Sequence, residues 1–303
     1  MRLNIADASH RRTMTAWIAG VLTLLVALAV VAVTPTRASA VATEVELGTA
    51  DSFAVLGGSA VTNTGPSVIN GDLGVSPGSS VTGFPPGIVN GAIHVTDAVA
   101  AQAQSDLTTA YNDAAGQAPD VVFPDDPPVE LGGRTLTPGV YNAPVSAAIT
   151  GTLTLDAEND PDAVWVFQVG STLTTATASD VSLINGASPC NVFWQIGSSA
   201  TLGTGSTFVG TIMALTSISA TTGTNIEGRA LARNGAVTLD TNTITRPLCE
   251  DDAAAATGDD AAAATGDDAA AATGDDAAAA TGDDAAAATG DDAAAATGDD
   301  AAA

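Results

Sequence analysis

The side chains that most often carry chemistry are few in this chain, and their spacing does not gather them. Between residues 41 and 250 stand one histidine, His94, and two cysteines, Cys190 and Cys249. A reactive thiol needs a neighbour that holds it as thiolate, and no motif around either cysteine supplies one. A lone histidine after Gly91-Ala92-Ile93 reads as a capping or packing residue. The stretch Asp156-Ala157-Glu158-Asn159-Asp160-Pro161-Asp162 alternates carboxylates as a calcium loop does. Pro161, however, stands where such a loop needs glycine and no closing Glu follows, so the stretch reads as a solvated corner. Carbohydrate-cleaving solenoids work with paired carboxylates or basic residues in a groove. Here lysine is absent and Arg134, Arg229, Arg233 and Arg246 are scattered, Arg229 and Arg233 reading as structural partners of carbonyls or acids. No catalytic residue, metal site or cofactor is assigned, and the chain is read as a non-enzyme.

What does recur is threonine followed by a small residue, at Thr64-Gly65, Thr82-Gly83, Thr150-Gly151, Thr177-Ala178, Thr204-Gly205 and Thr222-Gly223. Steps of 18 separate 64 from 82 and 204 from 222, and steps of 27 carry 150 onto 177 and 177 onto 204. Phe167-Gln168-Val169-Gly170-Ser171 recurs as Trp194-Gln195-Ile196-Gly197-Ser198, while Phe208, Ile226 and Ile244 align, as do Gly210 and Gly228. A second small polar residue often follows the dipeptide: Ser67, Thr207, Asn225. Stacking such units brings the threonines into ranks, and a rigid, flat array of methyl and hydroxyl groups can order water. Each contact is weak, so rigidity and number must supply the affinity. Equally, Thr and Ser suit strands and turns, and any solenoid repeats its corners, so the pattern also fits a cell-surface scaffold.

These side chains must be held by short strands. An 18-residue unit divides into three strands with turns, and apolar positions at fixed spacing give stacked coils a continuous core. The fold expected is mainly β, a three-faced β-solenoid whose coils stack about 4.8 Å apart, the 27-residue units being coils with longer corner loops. One segment departs from this pattern. Val99, Ala103, Leu107, Tyr111 and Ala114 fall at helical spacing, with Thr96 or Asp97 as N-cap and Gly116 as stop, predicting a helix over about 97–115 packed along the solenoid. The Pro-rich link 119–128 is expected to be an extended loop.

From about Leu47 to Cys249 the chain resembles the microbial ice-binding protein family. The resemblance rests on Asp51-Ser52-Phe53-Ala54-Val55-Leu56-Gly57-Gly58, Asn70-Gly71-Asp72-Leu73-Gly74-Val75-Ser76-Pro77-Gly78, Leu136-Thr137-Pro138-Gly139-Val140-Tyr141, Val192-Phe193-Trp194-Gln195-Ile196-Gly197 and Gly228-Arg229-Ala230-Leu231-Ala232. It implies a discontinuous three-faced β-solenoid with one long helix alongside, coils whose order in space does not follow the chain, and adsorption to an ice crystal surface. The family's motif is Thr, then Ala or Gly, any residue, then Thr or Asn. Thr204-Gly205-Ser206-Thr207 and Thr222-Gly223-Thr224-Asn225 match it in full. Thr64-Gly65-Pro66-Ser67 ends in Ser, and Thr177-Ala178-Ser179-Asp180 ends in a carboxylate that would disturb ordered water. The resemblance thus points to Thr64, Ser67, Thr82, Thr150, Thr177, Thr204, Thr207, Thr222 and Asn225 as ice-contacting residues, inhibiting ice growth or recrystallisation. An envelope adhesin built on the same scaffold is the alternative.

The rest of the sequence sets location. Arg2, Arg11 and Arg12 precede an uncharged run from Trp17 to Val33, then Pro35 and Ala38-Ser39-Ala40, which reads as an export signal over 1–40 cleaved after Ala40. An uncleaved anchor is the alternative, and Arg11-Arg12 leaves both general secretion and twin-arginine export open. In an oxidising compartment Cys190 and Cys249 are expected to pair. The formal charge is −26, with Lys+Arg 8 against Asp+Glu 34, which excludes binding to a phosphate backbone and favours solubility in brine. From Asp251 the unit Asp-Asp-Ala-Ala-Ala-Ala-Thr-Gly repeats to the end at Ala303. Its glycines interrupt any helix, so 251–303 is expected to be a disordered acidic spacer. Loose contact with divalent cations or the envelope is the sharper alternative. The protein expected is secreted and monomeric, with ice as its partner, and without a membrane span in its mature form.

Overall fold

A computed structural model describes residues 42–249; the export signal, its cleavage site and the acidic tail lie outside the described residues. The strands pair in parallel throughout and form a 15-stranded and an 8-stranded sheet. They wind into a three-faced solenoid. The larger sheet supplies two faces because the eight-residue strands Thr207–Ala214 and Asn225–Ala232 bend from one to the other. The bend falls at Gly210 and Gly228, both at positive φ, where a Cβ on Gly228 would lie 2.0 Å from the Gly210 carbonyl oxygen. Coils stack this closely only where that Cβ is missing.

Order in space departs from order in sequence. Val121–Val122 begins the stack, and pairing runs through Gly139–Ala143, Trp165–Val169, Val192–Ile196, Thr207–Ala214 and Asn225–Ala232. The next neighbour is Phe53–Gly57 from the start of the domain, followed by Asp72–Val75 and Ile93–Val95. The chain therefore winds its last coils first, must return to the other end, and does so through the helix α1, Ala98–Gly116. Nineteen helical residues span about 28 Å, the rise of about six coils.

The Asp97 carboxylate caps α1 by accepting from the Ala100 amide, which together with His94 holds that carboxyl below its usual value. The buried face comprises Ala100, Ala103, Leu107, Ala110, Tyr111 and Ala114. Val99, expected on that face, is instead 40% exposed, because the buried stripe starts one residue later. The helix lies on Val140, Val166, Phe193, Met213, Leu231 and Leu56, one or more from each coil it crosses. At its C-terminus Gln168 Nε2 donates to the Ala114 and Gln117 carbonyls, satisfying acceptors that a helix end leaves open. The Pro-rich link is not wholly a loop, since Val121–Val122 pairs with Tyr141 and Asn142.

Inside the solenoid, Phe123, Tyr141, Phe167, Trp194 and Phe208 stack through successive coils with ring centroids 3.9–6.1 Å apart. Toward the other end the same file is filled by Ile212, Ala230 and Val55, so the interior narrows from the long coils to the short ones. Where the last coil in sequence meets the first, the buried Arg229 guanidinium donates to the Asp51 carboxylate and main-chain oxygen, and Arg246 reaches the other Asp51 oxygen at 3.2 Å. Cys190 and Cys249 are disulfide-bonded across a separation of 59 residues. The bridge fastens the end of the described chain to the short turn Pro189–Asn191 that enters the helix-covered face. Cys190→Ser is expected to cost about 4 kcal/mol by loop entropy, measurable as a lower denaturant midpoint.

Candidate functional site

The eight-stranded sheet leaves one side open to solvent. Its inward residues are buried and apolar: Ala147, Leu173, Ala200, Ile218, Val237 and Val61. Alternation along each strand then points the next residue outward. In register these are Ala148, Thr174, Thr201, Ser219, Thr238, Thr62 and Thr82. Six hydroxyl-bearing residues follow one another without interruption from Thr174 to Thr82, at steps of about 4.8 Å. Thr62 Oγ1 lies 3.3 Å from Thr238 Oγ1, so neighbours within the file meet. The flanking outward positions are Ser199, Ser217, Ala236, Ala60 and Ser80 on one side and Gly203, Thr221, Asp240 and Thr64 on the other, small in all cases but the aspartate. Rigidity comes from the parallel ladder below and from the close-packed interior behind it.

The threonine-glycine dipeptides form the corner beside this sheet. Main-chain bonds place Thr177, Thr204, Thr222, Asp240 and Thr64 in successive coils, each followed by a residue at positive φ: Ala178, Gly205, Gly223, Thr241 and Gly65. The small second residue of the motif is therefore a backbone requirement of the left-handed turn. A Cβ on Gly223 would meet nothing within 4 Å, so Gly223→Ala is expected to cost only the conformational term, about 1–2 kcal/mol, read by thermal melting. The third residue of the motif points inward. Ser206, Thr224 and Asn242 are buried, and their side chains bond the corner carbonyls of Gly203 and Thr221.

This register removes one of the expected contact residues and moves another within the array. Pro66 adds one residue to its coil, so Val68, not Ser67, is the partner of Thr243. Ser67 is fully buried, accepts from the Asn242 amide and donates to Asn63, and cannot reach an outside surface. Thr82 is exposed but pairs with Thr62, so it belongs to the central file of the sheet and not to the corner. Thr64, Thr150, Thr177, Thr204 and Thr222 are exposed at or near the corner. Thr150 is tied by its amide and hydroxyl to Glu130 in the terminal coil, and Thr222 donates to Asp240.

Thr207 and Asn225 open the strands of the third face, in one file with Thr152, Asp180, Thr243, Val68 and Ile88. That face is chemically mixed. Asp180 interrupts the first file, and the second runs through Val209, Glu227, Thr245, Asn70 and Asn90. The acid-rich loop is a corner held by its own bonds: Asn185 and the Glu158 amide both donate to Asp156 and hold its carboxyl below its usual value. His94 sits 2.7 Å from Asp97 and packs on Phe53. A cleft of about 530 Å³ beside the disulfide is lined by Glu44, Asp51, Phe193 and Arg229, where the arginine and the aspartate engage each other.

The central file was not visible as a motif. Its members recur at steps of 27, 18 and 19 from Thr174 to Thr238, and at 20 from Thr62 to Thr82. One signal was available: Thr201 and Ser219 each stand three residues before a corner threonine, between buried-type neighbours.

The family model described as ice-binding-like matches residues 55–245. The chain belongs to this ice-binding-like family. An ice-binding protein of Nostoc sp. (strain HG1) is 56% identical over 220 residues, covering 72% of this chain and 80% of that one. The crystal structure of an ice-binding protein from the Antarctic ascomycete Antarctomyces psychrotrophicus superposes with a TM-score of 0.66 at 43% identity, covering 68% of this chain and 99% of that one. An ice-binding protein from an Antarctic biological consortium gives 0.66 at 52% identity, covering 70% and 95%. The family fold is thus the discontinuous solenoid described above, helix included.

Proposed function

We propose that this protein adsorbs to ice through the outward side of its eight-stranded sheet and so inhibits ice growth or recrystallisation. One observation carries the reading: the unbroken file Thr174, Thr201, Ser219, Thr238, Thr62 and Thr82, flanked by small residues on a rigid sheet. Each threonine offers a methyl that excludes water and a hydroxyl that continues a hydrogen-bonded lattice. Many weak contacts act together because the sheet holds them in fixed register. Thr64, Thr177, Thr204 and Thr222 extend the contact over the adjoining corner, and Thr207 and Asn225 border it. The relatives are named for binding ice, which supports the same partner here. Adsorption needs no bond chemistry, cofactor or metal. The leader with its Ala38-Ser39-Ala40 site supports secretion, and among the described residues no helix is long and apolar enough to cross a membrane. The test is thermal hysteresis with ice-crystal shaping by the chain from Val41 onward. Faceted crystals and a measurable gap between melting and growth support the reading, and unshaped crystals at every soluble concentration reject it in favour of the envelope scaffold.

A further inference from the structure

Across the sheet just described, two carboxylates stand among the neutral side chains, and one of them lies inside the array. In the strand Ala236–Asp240, Val237 and Leu239 are buried, so Ala236, Thr238 and Asp240 share the outward side. Asp240 pairs with Thr64 in the next coil and follows Thr222 in the coil before, standing where the corner file otherwise has threonine. The other carboxylate on this sheet, Glu130, lies in the terminal coil and is occupied by the Thr150 and Gly132 amides and the Thr150 hydroxyl. Asp240 instead sits inside the array. It accepts from the hydroxyls of Thr222 and Thr241, turning both toward itself and away from any lattice above the sheet.

We infer that Asp240 is an internal brake on the ice-contacting face, a residue that limits affinity by breaking the corner file between Thr222 and Thr64. The inference rests on the reading that this sheet meets ice. A carboxylate keeps its hydration more strongly than a hydroxyl does, and an ordered lattice offers it no compensating cation. The array must therefore accept a patch of unfrozen water at Asp240 or lose contact there. Thr222 pays twice, since its hydroxyl is drawn to the carboxylate. Nothing in the fold requires the charge: the amide of Asp240 is held by Asn242 and its strand by the parallel ladder, so a neutral residue fits the same backbone.

Asp240→Asn keeps the shape and an acceptor for Thr222 while removing the charge, and Asp240→Thr restores the residue type of the file. At matched concentration of the full chain from Val41, thermal hysteresis of either variant is expected to rise at least about twofold, with an unchanged melting temperature. Glu227→Gln, on the exposed third face, changes the net charge by the same amount and is expected to leave hysteresis unaltered. Equal values for wild type and both Asp240 variants would overturn the brake, and so would an equal rise in Glu227→Gln, which would make the effect one of overall charge. If the wild type shapes no ice, the ice-binding reading fails; if it shapes ice and Thr201→Tyr changes nothing, the assignment of the face fails and the brake with it. A gain confined to Asp240→Asn and Asp240→Thr supports the inference.

Discussion

Thr201→Tyr is expected to reduce thermal hysteresis by roughly fivefold or more while leaving the fold intact. Thr201 lies in the middle of the outward file, paired with Thr174 on one side and Ser219 on the other. Its side chain is exposed, so a phenol ring meets no packed neighbour and the circular dichroism spectrum and melting temperature should not move. A surface that works by many simultaneous contacts cannot bend around the intrusion, because the parallel sheet beneath is rigid. One projecting ring lifts several neighbours off the crystal together, and the loss exceeds one threonine's share. The same substitution at Thr245, on the third face, should leave hysteresis close to wild type.

The second large effect concerns stability. Asp51→Ala should destabilise the domain by about 3 kcal/mol, the lower end for breaking a buried ion pair since the Asp51 side chain is 32% exposed while Arg229 is 1% exposed. That corresponds to a melting temperature lower by roughly 10 °C for a domain of this size. The cause is geometric. Asp51 precedes the first strand in sequence, while Arg229 and Arg246 belong to the last coils, so this cluster closes the seam of a discontinuous solenoid. Removing the carboxylate takes an anionic partner from a buried guanidinium, whereas removing both partners removes the penalty. The double variant Asp51→Ala, Arg229→Met should therefore recover much of the lost stability in the same melting experiment. Failure of the double variant to recover would mean that Arg229 acts through its contacts with main-chain oxygen, not through charge.

Much of this architecture was legible in the residues. The steps of 18 and 27, the aligned Phe208, Ile226 and Ile244, and the helical spacing of Ala103, Leu107, Tyr111 and Ala114 behind a cap at Thr96 or Asp97 foretold stacked coils and a lateral helix, because each expresses a local rule of backbone or burial. The paired cysteines were foretold by compartment and are joined in the structure. Other features depend on register, which one inserted residue can shift. Pro66 moves Ser67 from the rim into the interior, and the early turn of the last coil moves Thr82 from corner to sheet. The corner threonines drew the eye because a positive-φ turn forces glycine or another small residue after them, making the dipeptide conspicuous. The sheet residues carry no such backbone constraint. Thr174, Thr201 and Thr238 are marked only by facing outward from a strand, and that becomes visible once pairing is known. The carboxylate of Asp240 within the same surface was hidden for the same reason.

The most direct test of the central claim is adsorption itself: growing ice slowly from a dilute solution of the labelled chain from Val41, and measuring the fraction taken into the ice. Incorporation of the wild type and of Thr245→Tyr, with Thr201→Tyr left in the liquid, is the predicted result. Exclusion of the wild type, or incorporation of Thr201→Tyr at the wild-type level, would contradict adsorption through the eight-stranded sheet.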